Sequence, residues 1–99
     1  VCGPLNVNKL GVTYVHEHLM VKPQLPDEYY IPYTLDDEAA STEETRSFSA
    51  AGGETLVEMT PINYGRNVKA YQRIAQATGV HVMLHRLPQA AVYAALVWR

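Results

Sequence analysis

The sequence predicts an α/β fold with parallel strands, because a strand, a helix and a strand follow one another over residues 55–84. Residues 55–60, TLVEMT, form a short β-rich run between two glycines and a proline. The next segment, Val68–Thr78, has apolar residues at helical spacing and ends at Gly79. Residues 80–84, VHVML, are β-rich again. Elements of these lengths form a right-handed βαβ unit.

An earlier apolar run, GVTYVHEHLMV over residues 11–21, carries His16, Glu17 and His18 near its end. Its continuous apolar character predicts a first strand, residues 12–20, that is buried on both faces. Side chains alternate along a strand, so His16 and His18 share one face and Glu17 lies on the other. Neutral imidazoles bind zinc and similar ions, which makes the pair a candidate metal site. A surface pair or a hydrogen-bonded core pair remains the alternative.

The segment between the first two strands divides into a loop and a helix. Residues 22–32 hold three prolines and form the loop. Tyr29 and Tyr30 in this loop, and Tyr33 directly after it, either contact substrate or pack the loop against the barrel rim. The helix begins at Leu35, with acidic residues in its first turn, which the helix dipole favours, or opens later at a capping box over residues 41–44. It ends at two glycines.

Two polar residues lie inside the predicted strands. Glu58, on the second strand, either is a hydrogen-bond partner of the metal-binding histidines or occupies a rim or interlayer position, and the second of these is preferred. His81 lies near the start of the third strand, away from the carboxyl ends where catalytic groups collect. We therefore expect His81 to pack rather than to bind a ligand.

Composition excludes several classes of partner. Hydrophobic residues make up 47% of the 99 residues, charged residues 18%, and the net charge is -2. This balance suits a globular segment and gives no basis for binding nucleic acid or an anionic membrane. No apolar stretch approaches transmembrane length, and no leader pattern opens the chain. The single cysteine, Cys2, is compatible with a reducing cytoplasm, which is the expected location.

Several motifs resemble the phosphotriesterase family of the amidohydrolase superfamily. The segments LGVTYVHEHL and AAGGETLVEMTPINYGRNVKAYQRIAQATGVHV match its G-x-T-x-x-H-E-H-L strand, A-G-G-x-T strand, G-R-[DN] turn and A-x-x-T-G-hydrophobic-H strand in order and spacing. The resemblance covers residues 3–83 and implies a (β/α)8 barrel. Such a barrel needs about 250 residues. The chain is therefore expected to be an N-terminal portion, an incomplete barrel with about three parallel strands and intervening helices.

The resemblance also implies a chemistry. Family members are hydrolases with a binuclear metal site, usually zinc, whose bridging hydroxide attacks a phosphoester, lactone or amide-like bond of a small molecule. By resemblance, His16 and His18 are ligands of the more buried metal. The bridging carboxylate of the fourth strand, the later histidines and the late aspartate have no counterpart here, so no catalytic residue is assigned. A catalytically inactive, truncated remnant with at most weak metal binding is the alternative for this polypeptide.

The resemblance stops after Met83, and we divide the chain into residues 1–84, the barrel portion, and residues 85–99, a tail outside the family pattern. Codons for LHRLPQ can be chosen so that the overlapping frame reads Cys-Thr-Gly-Phe-His, which restores the family's T-G-[FY]-[HY] turn. A frameshift is the leading explanation, and His85 would then be no ligand.

The apolar tail also allows a third hypothesis, a small binding module. The open strand edges predict poor stability and self-association of the chain.

We expect the DNA downstream of codon 83, read in the shifted frame, to encode T-G-[FY] and later a bridging lysine or glutamate, two histidines and an aspartate. The reason is that the family pattern is lost abruptly at one point. Sequencing the gene several hundred bases beyond this codon tests the expectation. An early stop codon in every frame would contradict it.

Overall fold

The computed structural model describes residues 1–22 and 34–85. In chain order the elements are a 3₁₀ turn at Val7–Lys9, strand β1 at Thr13–Glu17, helix α1 at Glu38–Ala50, strand β2 at Thr55–Glu58, a 3₁₀ turn at Ile62–Tyr64, helix α2 at Val68–Thr78 and strand β3 at His81–Leu84. The strands form a parallel sheet in the order β1-β2-β3. The predicted α/β fold with parallel strands is confirmed. The predicted loop tyrosines, Tyr29, Tyr30 and Tyr33, and residues 86–99 of the tail lie outside the described residues.

Helix α2 has the ends that its sequence predicts. The Asn67 side chain accepts a hydrogen bond from the backbone N–H of Ala70 at 3.1 Å. Gly79 ends the helix with a φ of 74°, in the left-handed region that favours glycine, and its N–H donates to the carbonyl of Ala75 at 2.9 Å. These two caps fix where the chain leaves β2 and returns to β3.

Helix α1 begins later than Leu35, which instead forms an antiparallel bridge with Val21. The Asp37 carboxylate caps the helix by accepting from the N–H of Ala40 at 3.1 Å, so the box at residues 41–44 is not the start. Glu38 receives two hydrogen bonds from Arg73 of α2, at 2.7 and 2.8 Å. The acidic helix start therefore ties α1 to α2.

The core lies between the sheet and α2. Tyr71 and Ile74 of α2 are fully buried, and they pack against the apolar side chains of β2 and β3. Phe48 of α1 adds its ring, which also lies 4.6 Å from the ring of Tyr14. The buried cluster consists of Leu19, Met20, Leu56, Ala70, Tyr71, Ile74, Ala75, Val80 and Val82. Helices thus cover one face of the sheet.

Strand β1 corrects the prediction of a strand buried on both faces. It spans five residues, and Tyr14 and Val15 are 53% and 72% exposed. These side chains are exposed because β1 is an edge strand and because, within the described residues, the helices cover only one face of the sheet. Met83, which alternates with the buried Val82 of β3, is likewise 41% exposed.

His81 also differs from its prediction in part. It is the first residue of β3 and pairs with Thr55, the first residue of β2, so it lies at the amino end of the sheet as expected. Its side chain is exposed and not packed, because alternation places it on the face of Met83, opposite the buried Val80 and Val82. Within residues 1–22 and 34–85, no helix has both the length and the apolarity that crossing a membrane requires.

Tyr71 gives the fold a pH dependence. Burial is the main cause that raises the pKa of its phenol, and the charge of Glu58 adds to the effect. In the unfolded chain the phenol ionises at about pH 10. In the folded chain the same phenol is still neutral at that pH, because its pKa is raised. The stabilisation is therefore fully present below about pH 10 and is lost as the pH rises through the higher folded pKa.

We expect Tyr71→Phe to lower the free energy of unfolding by about 1 kcal/mol near neutral pH, because one hydrogen bond is lost. The variant should also lose less stability than the wild type above about pH 10, because it has no phenol to ionise. Urea denaturation of both proteins at about pH 8 and about pH 10.5 measures this. Tyr14→Phe, at an exposed position of β1, is the control and should keep the wild-type pH dependence. An identical alkaline loss in Tyr71→Phe would contradict the prediction.

Candidate metal centre

The carboxyl ends of the strands meet at one edge of the sheet, as parallel strands require. His16 lies near the end of β1, and His18 is the first residue after it. Glu58 ends β2, and Thr60 follows two residues later. The predicted metal-binding pair therefore lies at the edge where barrel and open α/β proteins place their sites.

A β-bulge in β1 lies just before the second histidine. Tyr14 pairs with Leu56 and Glu17 pairs with Glu58, so β1 has one more residue than β2 in this interval. The extra residue falls at Val15 or His16. Bulges re-aim side chains and are common beside active sites. The extra residue thus lies at or beside His16, where it interrupts the regular pairing of β1 with β2.

The two imidazoles lie close together. Their ring centroids are 5.2 Å apart, with an angle of 62° between the ring planes. Two imidazoles that bind one tetrahedral ion through nitrogens at about 2.0–2.1 Å have centroids about 5 Å apart. The prediction that His16 and His18 lie together is confirmed, and the spacing fits a shared ion. Their role as metal ligands stays a prediction.

One nitrogen of His18 is already engaged. Its Nδ1 lies 2.9 Å from the hydroxyl oxygen of Thr60, which is fully buried. The residue as a whole is exposed, and among the described residues Nε2 has no hydrogen-bond partner. Sequence reasoning missed Thr60. Its position in the sequence could have indicated it. Thr60 lies two residues beyond Glu58, and alternation places it on the same side as that carboxylate.

Glu58 is a fully buried carboxylate that binds backbone amides. One oxygen accepts from the N–H of Thr60 at 2.7 Å, and the other accepts a short hydrogen bond from the N–H of Leu19. Glu58 therefore joins the segment after β1 to the segment after β2. Within the described residues the carboxylate makes no hydrogen bond with the histidine rings, in line with the preferred rim or interlayer role, and it reaches His18 through the backbone N–H of Leu19.

Arg66 fixes the neighbouring strand ends. Its guanidinium donates to the carbonyl of Glu58 at 3.3 Å and to the carbonyl of His85. The N–H of His85 also donates to the carbonyl of Glu58, at 3.0 Å, which continues the β2–β3 pairing past Leu84. The edge that carries the histidines is thus held by both a carboxylate and a guanidinium.

The number of possible ligands limits what this site can do. In residues 1–22 and 34–85, no three side chains of the His, Cys, Asp or Glu type are grouped so that they could hold a metal ion. Catalytic zinc sites have three protein ligands and an open position. The described residues therefore fit a divalent metal as two members of a larger ligand set, and they do not form a complete catalytic centre.

Sequence comparison extends the resemblance. The profile of the Phosphotriesterase family matches residues 1–93. A phospho-furanose lactonase from Mycoplasmopsis synoviae is 36% identical over 77 residues, which are 78% of this chain and 22% of the lactonase. The chain thus spans about a quarter of the length of the curated relatives it matches. The predicted boundary between residues 84 and 85 stays a prediction.

Structural comparison agrees with the sequence. An amidohydrolase from Mycoplasma synoviae superposes with a TM-score of 0.73 and 34% identity, over 81% of this chain and 24% of that one. An organophosphorus hydrolase mutant from Deinococcus radiodurans gives 0.67 and 31% identity, over 83% and 26%. These proteins are barrels of the type the motifs imply, so the predicted fold class, part of a (β/α)8 barrel, is confirmed. From its strands, its helices and its sequence, the chain belongs to the phosphotriesterase family.

Proposed function

We propose that this chain is the N-terminal part of a metal-dependent hydrolase that cleaves a phosphoester, lactone or acyl bond of a small molecule. The observation that carries the proposal is the spacing of His16 and His18, whose rings are 5.2 Å apart at the carboxyl edge of the sheet. Family membership supports the choice of hydrolysis. The ion in this proposal is divalent, zinc by preference, and one of two in a complete barrel.

Each residue of the site has a separate task in this proposal. His16 and His18 would hold the ion, and Thr60 would hold the ring of His18 from the buried side. Glu58 and Arg66 fix the backbone from which these side chains project. When bound, the ion supplies Lewis-acid activation of a substrate oxygen and of water. The residues that would move protons in the reaction are not among those described.

The names of the relatives support the substrate classes. One relative is a phospho-furanose lactonase, another is an N-acetyltaurine hydrolase, and a structural neighbour is an organophosphorus hydrolase. These names correspond to lactone, acyl-amide and phosphoester bonds. All three bonds develop negative charge on an oxygen during attack, which a divalent cation stabilises. We place the protein in the cytoplasm, for which the single cysteine is the support.

The alternative function is that of a catalytically inactive remnant. The support for it is the ligand count, since the described residues supply only two of the three ligands that catalytic zinc requires. The exposed apolar face of the sheet and its open edges support self-association of such a chain. Activity of the 99-residue chain by itself would exclude this alternative.

We expect His16→Asn/His18→Asn to weaken zinc binding to the 99-residue chain by more than about 100-fold, since both proposed ligands are lost. Isothermal titration with zinc measures the affinity. His81→Asn is the matched control, because this exposed histidine lies at the opposite end of the sheet and should leave the affinity unchanged. Equal binding by the wild type and the double variant would show that the pair is no metal site.

A chimera tests hydrolysis. Residues 1–84 would replace the matching N-terminal segment of the Mycoplasmopsis synoviae lactonase, which supplies the remaining strands. We expect the chimera to hydrolyse a lactone in a metal-dependent way, and the same chimera with His16→Asn/His18→Asn to be inactive. A folded chimera without activity would favour the remnant interpretation.

A further inference from the structure

We propose that Ser41 and Glu58 are positioning residues of the candidate metal centre. They hold the two backbone polar groups of Leu19, the residue directly after His18, and they thereby orient the His18 imidazole. The inference rests on the proposed function for its purpose, since a fixed imidazole serves a metal ion. The contacts that carry it are made within the chain and involve no metal.

The hydroxyl of Ser41 leaves its own helix. Serine and threonine side chains inside a helix commonly donate to the carbonyl four residues earlier. Three other hydroxyls of α1 follow this pattern, namely those of Thr42, Thr45 and Ser47. The Ser41 hydroxyl instead donates to the carbonyl of Leu19 at 2.6 Å. Helix α1 therefore reaches the segment after β1 through this side chain.

Glu58 holds the other polar group of the same residue. The N–H of Leu19 donates a short hydrogen bond to the fully buried carboxylate. The side chain of Leu19 is itself buried in the core. A residue has only two soft backbone dihedral angles, so a residue that is held at its N–H, its carbonyl and its side chain has a fixed backbone. The peptide group that joins His18 to Leu19 is fixed with it.

His18 needs this support because the strand pairing ends before it. β1 ends at Glu17, whose carbonyl accepts from the N–H of Met59 at 2.8 Å. His18 lies one residue beyond, where its ring lies 2.9 Å from the hydroxyl of Thr60. The imidazole is thus held at its ring by Thr60 and at its backbone through Leu19. Metal ligands have to be held to within about 0.5 Å, which two such anchors provide.

The first test reads the orientation of His18 in the metal-free 99-residue chain. Three-bond scalar couplings report whether its χ1 angle keeps one rotamer, and amide hydrogen exchange reports how often the Leu19 segment opens. We expect one rotamer and a protected Leu19 amide in the wild type. Ser41→Ala should average the rotamers and speed the exchange of this amide about fivefold, because one hydrogen bond is lost.

Two serine variants separate positioning from a general loss of stability. Ser41→Thr keeps the hydroxyl and should restore both the rotamer and the slow exchange. Ser47→Ala is the matched control, because Ser47 is an exposed serine of the same helix whose hydroxyl donates within the helix. It should behave as the wild type.

Glu58→Gln tests the carboxylate. The amide group puts a donor where one of the two backbone N–H groups needs an acceptor, so this variant should average the His18 rotamers as well. Glu54→Gln is its control, since the Glu54 carboxylate accepts from the N–H of Val12 at 3.1 Å at the opposite end of the sheet. If Glu58→Gln does not fold, the Ser41 variants decide the inference.

Zinc titration provides the second readout. We expect Ser41→Ala to lower the affinity at least about 10-fold, the usual effect of losing a group that orients a ligand, and Ser41→Thr and Ser47→Ala to keep it. Averaged His18 rotamers in the wild type, or a Ser41→Ala chain that keeps the wild-type rotamer or the wild-type affinity, would overturn the inference. A wild-type chain that binds no zinc but shows the expected rotamers would contradict the proposed function alone.

Discussion

The buried carboxylate of Glu58 is the interaction on which the geometry of the site depends. A carboxylate removed from water is costly unless charged or polar partners replace the lost hydration. Here the partners are the backbone amides of Leu19 and Thr60, and hydrogen bonds to an ionised acceptor are stronger than neutral ones. Because these amides lie just beyond β1 and β2, the carboxylate keeps the two strand ends at a fixed separation.

The position of His18 follows from that connection. It precedes Leu19, whose N–H is held by Glu58, and its ring contacts Thr60, whose N–H is held by the same carboxylate. The position of the imidazole is thus set by two contacts, and both depend on the carboxylate of Glu58. His16 is placed differently, at or beside the bulge in β1. The pair combines a residue held by hydrogen bonds with one on the irregular part of a strand.

The sheet imposes a second constraint, because the helices of the described residues cover only one of its faces. Leu56 and Val82 point toward α2 and are buried, whereas Met83, their neighbour on the alternate face, is substantially exposed. In a complete barrel the uncovered face would line the packed centre. The small number of possible metal ligands has the same cause, the incomplete barrel. Two ligands are present in the described residues, and ligands from other strands would complete the set.

The sequence by itself determined the parallel βαβ unit, the caps of α2 at Asn67 and Gly79, and the adjacency of His16 and His18. These features depend on local patterns: the spacing of apolar residues, turn chemistry and alternation along a strand. Other features depend on residues far apart in the chain. Only the tertiary structure decided that β1 is an exposed edge strand and that Thr60 lies against His18, because burial and hydrogen bonding are set by which distant segments pack together.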